Sequence, residues 1–238
     1  MGEGLMKLAA LCVAFKEERF MPKYIQAMKD RVEEIVVLSS SQPWFGEAED
    51  DSTGDIAEDL GATVIRWNWP NETEQRNAGL DYLHDYDWVI VLDPDEYINN
   101  ADWEALMKCL ENPQAPAYIV KHQRVFYKHS EVFPHTDYQQ IIAVNPQYVR
   151  FIDNRVINTV YGEAPVDLFH FSWARTDEEV LRKITHYSHA NELNPNWYED
   201  VWLADKKTDL HPKDPEVLAA LIEAKLPPEI EALDLWPR

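Results

Sequence analysis

The sequence predicts an α/β protein, a single domain in which a mostly parallel central sheet is flanked by helices. Short apolar runs alternate with stretches of helical periodicity, and that order is typical of strands joined by right-handed helical crossovers. The apolar runs are continuous rather than alternating, which indicates strands buried on both faces. A chain of 238 residues with 45% hydrophobic content can bury one substantial core.

The first part of the chain contains four predicted strands and three predicted helices. In the first helix, Met21, Tyr24, Ile25 and Met28 recur at helical spacing. Gly61 follows the second helix and provides a stop signal. We expect strands at 8–15, 34–38, 62–67 and 88–92, and helices at 20–31, 55–60 and 72–84.

The second part of the chain is mixed in character. A loop carrying His129, His135 and Asp137 is expected between residues 126 and 139, and prolines interrupt the last 30 residues. We expect strands at 117–126, 139–144, 155–160 and 166–171, and helices at 101–110 and 177–186.

The charge balance limits the partners. A formal net charge of −21 argues against a nucleic-acid backbone or an anionic membrane surface as a partner, because phosphate contacts need Lys and Arg. It does not argue against a nucleotide whose phosphates are neutralised by a metal ion. No run is long enough to span a membrane. Cys12 lies in an apolar run and Cys109 in a predicted helix, so we expect buried thiols in a reducing compartment and a cytoplasmic protein.

Three carboxylates follow the predicted strand at 88–92. Asp93, Pro94, Asp95 and Glu96 come at its carboxyl end, the edge of an open α/β sheet at which ligands bind. Two aspartates flanking one residue can present oxygen to Mg²⁺ or Mn²⁺, and such an ion also binds substrate phosphates. The alternative is a solvated turn after a core strand. With seven glycines, no stretch fits a Walker loop or a dinucleotide-binding fingerprint.

Several segments together resemble a known family. They are Val-Ala-Phe-Lys-Glu-Glu at 13–18, the strand at 34–38, Asp-Ser-Thr-Gly-Asp-Ile-Ala at 51–57, Glu-Gln-Arg-Asn-Ala-Gly-Leu at 74–80, the acidic strand end at 88–96, Leu-Phe-His-Phe-Ser-Trp at 168–173, and the pairs at 183–184 and 187–188. In order and spacing they resemble a family 2 glycosyltransferase of GT-A fold, over roughly residues 7–190. The resemblance implies a GT-A domain over 1–205, with a nucleotide-binding half of about 1–98 and an acceptor half of about 99–205, followed by a tail at 206–238.

The resemblance also implies a donor site and a metal site. Asp93 and Asp95 match the DxD motif and His170 a histidine near the same metal, so Asp93, Asp95 and His170 are the expected ligands of Mn²⁺ or Mg²⁺. From the residues alone, a histidine such as His170 is more often structural than a ligand, and Arg76 could be a helix surface charge and Glu17 a helix cap. The expected nucleotide-sugar-binding residues are Phe15, Glu17, Ser39, Gln75, Arg76, Asp93 and Pro94.

The activity implied is transfer of a sugar from a nucleoside-diphosphate sugar to an acceptor hydroxyl, with inversion. Inversion needs a carboxylate base, and Glu163 is the candidate because it lies in a predicted turn shortly before His170; Asp137 and Asp167 remain open. A glycan, a lipid-linked molecule or a small molecule could be the acceptor. The alternatives are an inactive GT-A domain that binds nucleotide or glycan, or a nucleotidyltransferase, although the Gly-rich basic loop of the latter is absent after the first strand.

Two departures from the family pattern bear on the nucleotide. Lys16 stands where Asn is common, and Ser39-Ser40 where an acid is common, while Asp51 arrives behind an insertion at 41–49. We expect Trp44 and Phe45 in that insertion to form a mobile lid over the donor. We also expect Asp95→Asn to leave the fold nearly intact, because the preceding strand is apolar.

Overall fold

The computed structural model describes residues 6–47, 51–133, 140–186, 190–206 and 220–237. Over these ranges the strands are β1 Leu8–Ala14, β2 Glu34–Ser39, β3 Thr63–Arg66, β4 Trp88–Val91, β5 Glu96–Tyr97, β6 Ala117–Tyr127, β7 Ser130–Phe133, β8 Ile141–Val144, β9 Phe151–Asp153, β10 Val156–Ile157, β11 Gly162–Trp173 and β12 Ala220–Glu223. The α-helices are α1 Met21–Met28, α2 Thr53–Asp59, α3 Glu72–Tyr82, α4 Asn100–Glu111, α5 Asp177–His186 and α6 Pro228–Glu231. None of the described helices has both the length and the apolar character needed to cross a membrane.

The first half of the sheet is parallel. β3, β2, β1 and β4 lie side by side in that order, and each neighbouring pair runs in the same direction. β1 is buried along its length, and alternate side chains enter two core clusters. Cys12 packs in the cluster that contains residues of α1 and α2, whereas Leu11 packs in the cluster that contains Leu80 of α3. The predicted α/β class is confirmed.

The second half of the sheet is mixed. β8 pairs antiparallel with both β4 and β6, and the sheet continues through β7 to β12. β11 runs parallel to β6 and pairs antiparallel with β5. A parallel half followed by a mixed half agrees with the GT-A expectation.

The segment after β6 differs from the prediction of a continuous loop. β6 ends at Tyr127 and β7 begins at Ser130, so the two strands form a tight hairpin. Lys128 turns the chain with a φ of 51°, in the left-handed region where Gly or Asn is usual. The sequence therefore lacks the turn residues that normally identify such a hairpin.

The strand predicted at 166–171 is part of the longer β11, which starts at Gly162. The strand predicted at 155–160 is shorter than expected: only Val156 and Ile157 are extended, in a small hairpin with β9. Asn154 forms the turn of that hairpin with a φ of 39°. β11 is irregular, with register shifts against β6, so its pattern has no single period.

The C-terminal residues pack against the domain. β12 pairs with β7 at the edge of the sheet. Ile230, Leu233 and Leu235 are buried in one cluster with Phe126 and Phe171. The described part of the tail therefore contributes to the hydrophobic core.

Candidate active site

A cleft of about 630 Å³ opens at the carboxyl ends of β1, β4 and β11. Its walls come from the residues after β1, the amino-terminal part of α3, the turn after β4, the β9–β10 hairpin and α5. Ligands bind at this edge in open α/β sheets because the loops after parallel strands converge there. The cleft is lined by eight of the residues that the sequence assigns to donor or metal binding: Phe15, Glu17, Gln75, Arg76, Asp93, Pro94, Asp95 and His170.

The turn after β4 is held by its own hydrogen bonds. The Asp93 backbone N–H donates to Glu96 Oε2 at 2.8 Å, and the Glu96 N–H donates to the Asp93 carbonyl at 3.0 Å. The Tyr97 hydroxyl donates to the Pro94 carbonyl at 2.9 Å. The apolar residues of β4 are buried beneath it. The carboxylates therefore lie on a fixed turn at the end of a rigid strand.

Asp93 is paired with two guanidinium groups. Arg76 NH2 lies 3.0 Å from Asp93 Oδ1 and 3.1 Å from Oδ2, and Arg155 NH2 lies 3.0 Å from Oδ2. Burial raises the pKa of Asp93, but Arg155 and Arg76 outweigh it and hold the pKa below its usual value. Asp93 is thus an ionised carboxylate with its charge already balanced.

Asp95 faces a different set of groups. Its Oδ2 accepts hydrogen bonds from Arg175 NH2 at 2.6 Å and Lys183 Nζ at 3.0 Å, while Oδ1 faces His170 Nε2 at 3.6 Å. Burial opposes the charge of Asp95, yet Lys183, His170 and Arg175 hold its pKa well below the usual value. Oδ1 is therefore the atom of this carboxylate that remains oriented toward the imidazole.

One group of side chains in the described part of the chain could hold a metal ion, and it consists of Asp95, Glu96 and His170. Each offers one ligand atom, and the three atoms lie within 4.8 Å of one another. Two carboxylate oxygens and an imidazole nitrogen fit Mn²⁺ or Mg²⁺. Glu96 occupies the place in this group that the sequence assigned to Asp93, because Glu96 in β5 pairs with His170 in β11, whereas Asp93 turns toward Arg76 and Arg155.

The residues after β1 adopt an unusual backbone conformation. Lys16 has a φ of 58°, in the region that Asn tolerates better than Lys. The Lys16 N–H donates to Asp51 Oδ2 at 3.1 Å and the Glu17 N–H to Thr53 Oγ1 at 2.9 Å. Asp51, which the insertion displaces in sequence, therefore holds the turn after β1 in space.

Two buried polar atoms at the cleft have no hydrogen-bond partner among the described residues. They are Glu17 Oε2 and Arg76 NH1. Burial raises the pKa of Glu17, with Arg175 opposing this effect. An unpaired acceptor and an unpaired donor at a cleft are expected where a ligand supplies the missing partners. Gln75, in contrast, donates to the Leu38 carbonyl at 2.8 Å, which ties α3 to β2.

The structure places several candidates away from the cleft. Ser39 is buried in the sheet next to Gly54, and Ser40 lines the cleft instead. Glu163 is exposed at the start of β11, seven residues before His170, or about 23 Å along the strand. Glu163 is therefore not among the residues that line the cleft. Asp167 pairs with His122 Nδ1 at 3.0 Å and lines a different cavity, and Asp137 lies outside the described residues.

The loop after β2 reaches the cleft in part. Trp44 lines the cleft and packs on the hydrophobic core, whereas Phe45 is exposed. Gly46 lies so close to α5 that a Cβ there would be 2.9 Å from His186 Cδ2. Residues 48–50 lie outside the described part, and the mobile lid stays a prediction.

Three cleft cations were not assigned from the sequence. Arg155 lies in the β9–β10 hairpin, Arg175 follows β11 and Lys183 lies on α5. Arg175 NH2 bridges Asp95 and Glu17, with Glu17 Oε1 at 2.8 Å. Lys183 lies in a segment that resembles the family, and this resemblance is the only sequence signal for any of the three. Arg155 and Arg175 lie in stretches without a recognisable motif.

Comparison with known proteins identifies the family. The family model described as glycosyl transferase family 2 matches residues 12–181, well over half of the chain. The chain belongs to glycosyl transferase family 2. The matched residues of this family 2 domain extend from β1 into α5 and include the cleft residues up to Glu179, whereas Arg182, Lys183 and His186 of α5 lie beyond the match.

The family 2 domain is also similar to a TPR repeat-containing protein of Synechococcus elongatus, at 29% identity over 117 residues. That similarity covers 48% of this chain and 27% of the relative, so the chain spans about a quarter of that protein.

Solved structures similar to the family 2 domain include the following three. Glucosyl-3-phosphoglycerate synthase of Mycobacterium tuberculosis, in complex with Mn²⁺, UDP and phosphoglyceric acid, has 21% identity and a TM-score of 0.39, covering 51% of this chain and 43% of that one. TarS residues 1–349 of S. aureus has 12% identity and a TM-score of 0.49, covering 73% and 63%. The mannosyltransferase PcManGT of Pyrobaculum calidifontis, with GDP-Man and Mn²⁺, has 13% identity and a TM-score of 0.43, covering 60% and 45%.

Proposed function

We propose that this family 2 domain transfers a sugar from a nucleoside-diphosphate sugar to an acceptor hydroxyl, and that it uses Mn²⁺ or Mg²⁺. The observation that carries the proposal is the grouping of Asp95, Glu96 and His170 in a cleft at the carboxyl ends of parallel strands. When bound there, the cation would neutralise the negative charge that develops on the departing diphosphate.

The chain's own cations suit the phosphates of the donor. Arg76, Arg155, Arg175 and Lys183 line the cleft beside the carboxylates. Arg76 NH1 is buried and without a described partner, so it can donate to a phosphate or carbonyl oxygen of the donor. Glu17 Oε2 is the corresponding unpaired acceptor and can receive a hydrogen bond from a ribose hydroxyl.

Inversion requires a carboxylate that takes the proton from the acceptor hydroxyl. Asp153 is the better candidate for this role than Glu163. It lines the cleft from the end of β9 and is exposed, whereas Glu17, Asp93, Asp95 and Glu96 are each paired with Arg or Lys. We expect Asp153→Asn to lower kcat by about 10²-fold or more and to leave nucleotide affinity unchanged, as measured by transfer kinetics and calorimetry. Equal kcat values for the variant and the wild type would exclude Asp153.

Metal dependence can be tested with the free ion and the donor. Asp95→Asn and His170→Ala should each weaken Mn²⁺ binding, measured by electron paramagnetic resonance, and lower donor hydrolysis or transfer by about 100-fold or more. Because both residues act on one ion, the double variant should lose less than the product of the two single losses.

Asp85→Asn is the matched control, because Asp85 is exposed and lies outside the cleft. It should change neither Mn²⁺ binding nor activity. A screen of UDP and GDP sugars should show release of the nucleoside diphosphate that EDTA abolishes. Nucleotide binding without any release would instead indicate a domain that binds donor without turnover.

A further inference from the structure

A chain of hydrogen bonds joins Glu96 to His170 through two glutamine side chains. Gln140 Nε2 donates to Glu96 Oε1, and Gln123 Nε2 donates to Gln140 Oε1 at 2.9 Å. The same Gln123 Nε2 lies 2.6 Å from His170 Nδ1. Gln123 and Glu96 are buried, and both glutamines line the cleft.

The donor and the acceptor of each hydrogen bond in this series are determined at the Glu96 end. Arg155 donates to both Glu96 oxygens, at 3.2 Å and 2.9 Å, and the Asp93 N–H also donates to Oε2. An ionised carboxylate only accepts hydrogen bonds, so Gln140 must present its NH2 group to Glu96 and its carbonyl oxygen to Gln123.

It follows that Gln123 presents its NH2 group in both directions. One proton goes to Gln140 Oε1 and the other to His170 Nδ1, which must accept. The neutral imidazole then carries its proton on Nε2. Nε2 is also the ring nitrogen that faces Asp95 Oδ1 at 3.6 Å and Glu96 Oε1 at 3.9 Å.

A cation can bind Nε2 only when that nitrogen has no proton. The proton must then be carried by Nδ1, and Gln123 must turn its carbonyl oxygen toward the ring. Gln140 must turn with it, which directs the Gln140 carbonyl at Glu96 Oε1. That arrangement is repulsive unless Glu96 Oε1 turns away toward the cation.

We propose that Gln123 and Gln140 are positioning residues that hold His170 in the tautomer with its proton on Nε2, so that a divalent cation can bind Nε2 only when both amides and Glu96 turn with it. The proton that leaves Nε2 is replaced at Nδ1 from solvent, and this step releases no net proton. The proposal rests on the proposed function for the role of the cation, whereas the resting state of the imidazole can be tested without any metal.

The test uses Gln140→Met, which keeps side-chain length and removes both hydrogen bonds of that amide. Nitrogen NMR of protein labelled at histidine, with the His170 signals identified by their loss in His170→Ala, reports which ring nitrogen is protonated. In the metal-free wild type we expect a protonated Nε2 and an unprotonated Nδ1. In Gln140→Met we expect both tautomers, and Mn²⁺ affinity by electron paramagnetic resonance should rise about threefold or more, because the binding-competent tautomer is no longer held at low population.

Gln147→Met is the control, since Gln147 is exposed and outside the cleft; it should alter neither measurement. A protonated Nδ1 in the metal-free wild type would overturn the proposal, whether or not Gln140→Met folds. So would an unchanged tautomer in Gln140→Met together with equal or weaker Mn²⁺ binding. If the wild type binds no Mn²⁺, the metal-dependent function fails, and the tautomer measurement still decides the role of the glutamines.

Discussion

Asp95 is a buried carboxylate whose ion pairs contribute to the folded state as well as to the cleft. Its Oδ2 is shared by Arg175 and Lys183, and Arg175 is itself 3% exposed at the side chain. The expectation that Asp95→Asn leaves the fold nearly intact does not agree with this geometry. An amide in the same place would leave a buried guanidinium with part of its charge unbalanced.

We therefore predict that Asp95→Asn lowers the free energy of unfolding at pH 7 by about 3 kcal/mol. The folded pKa of Asp95 lies well below its usual value, so this stability is complete above the unfolded pKa of about 4 and is lost as the pH falls through the folded pKa. The difference between wild type and variant should accordingly shrink below about pH 4. Urea unfolding of both proteins from pH 3 to pH 7 measures it, with Asp85→Asn as the exposed control. A difference that stays constant over this range would contradict the assignment.

At the scale of elements, the sequence predicts those that have a local pattern. The alternating strands and helices from β1 to β4 are present because each strand is a short continuous apolar run and each helix has its own periodicity or stop signal. α5 is found over 177–186 as predicted, since its amphipathic spacing is complete within ten residues. β7 was missed because its hairpin turns at Lys128, and the length of β11 was missed because its register shifts hide any regular period.

The residues of the candidate site divide in the same way, into those that a local sequence pattern identifies and those that only the tertiary structure brings together. The sequence indicates the DxD residues, Arg76 and His170 as candidates because they lie in segments that resemble the family or at a strand end. Glu96 joins the group of possible ligands only through the pairing of β5 with β11, which are about 70 residues apart along the chain. Arg155 and Arg175 reach the cleft through tertiary folding alone, so no local pattern identifies them.

The contact between α3 and β1 gives an element-scale prediction. Gly79 packs against β1 so closely that a Cβ would lie 2.4 Å from Leu11 Cδ1, and α3 also carries Gln75 and Arg76 into the cleft. Gly79→Ala should lower the free energy of unfolding by about 1–3 kcal/mol and weaken nucleotide binding, because α3 and the buried side chains of Leu11 and Leu38 must shift to make room for the Cβ. Thermal melts and calorimetry with UDP or GDP measure the two effects.

Gly61→Ala is the comparison. Gly61 has a φ of 92° and open space around it, so the substitution strains the backbone without displacing a neighbour. It should lower stability and leave nucleotide binding unchanged. Equal nucleotide affinities for Gly79→Ala and the wild type would show that α3 does not need this close contact to hold the site.

At the scale of the whole molecule, positive charge is scarce, and part of it lies in the cleft. The chain has 22 Lys and Arg against 43 Asp and Glu. Arg76, Arg155, Arg175 and Lys183 all lie in the cleft, where they balance buried carboxylates. The cleft therefore combines paired cations and carboxylates on a protein that is acidic as a whole, and the net charge argues against a nucleic-acid backbone as a partner. The cytoplasmic location stays a prediction.

The C-terminal segment gives the last prediction, at the scale of the whole domain. Leu233 is 6% exposed and packs with Phe126 and Phe171, and Arg19 NH1 donates to the Leu235 carbonyl at 2.6 Å. If this segment completes the core, Leu233→Ala should lower the free energy of unfolding by about 2–5 kcal/mol. Leu203→Ala is the matched control, since Leu203 is 53% exposed, and it should change stability by less than about 0.5 kcal/mol. Chemical unfolding of both variants measures the two changes.

Because Leu233 lies outside the cleft, nucleotide binding by the folded Leu233→Ala protein should match that of the wild type. Equal and small stability losses in the two variants would show instead that the C-terminal segment is only loosely attached to the domain.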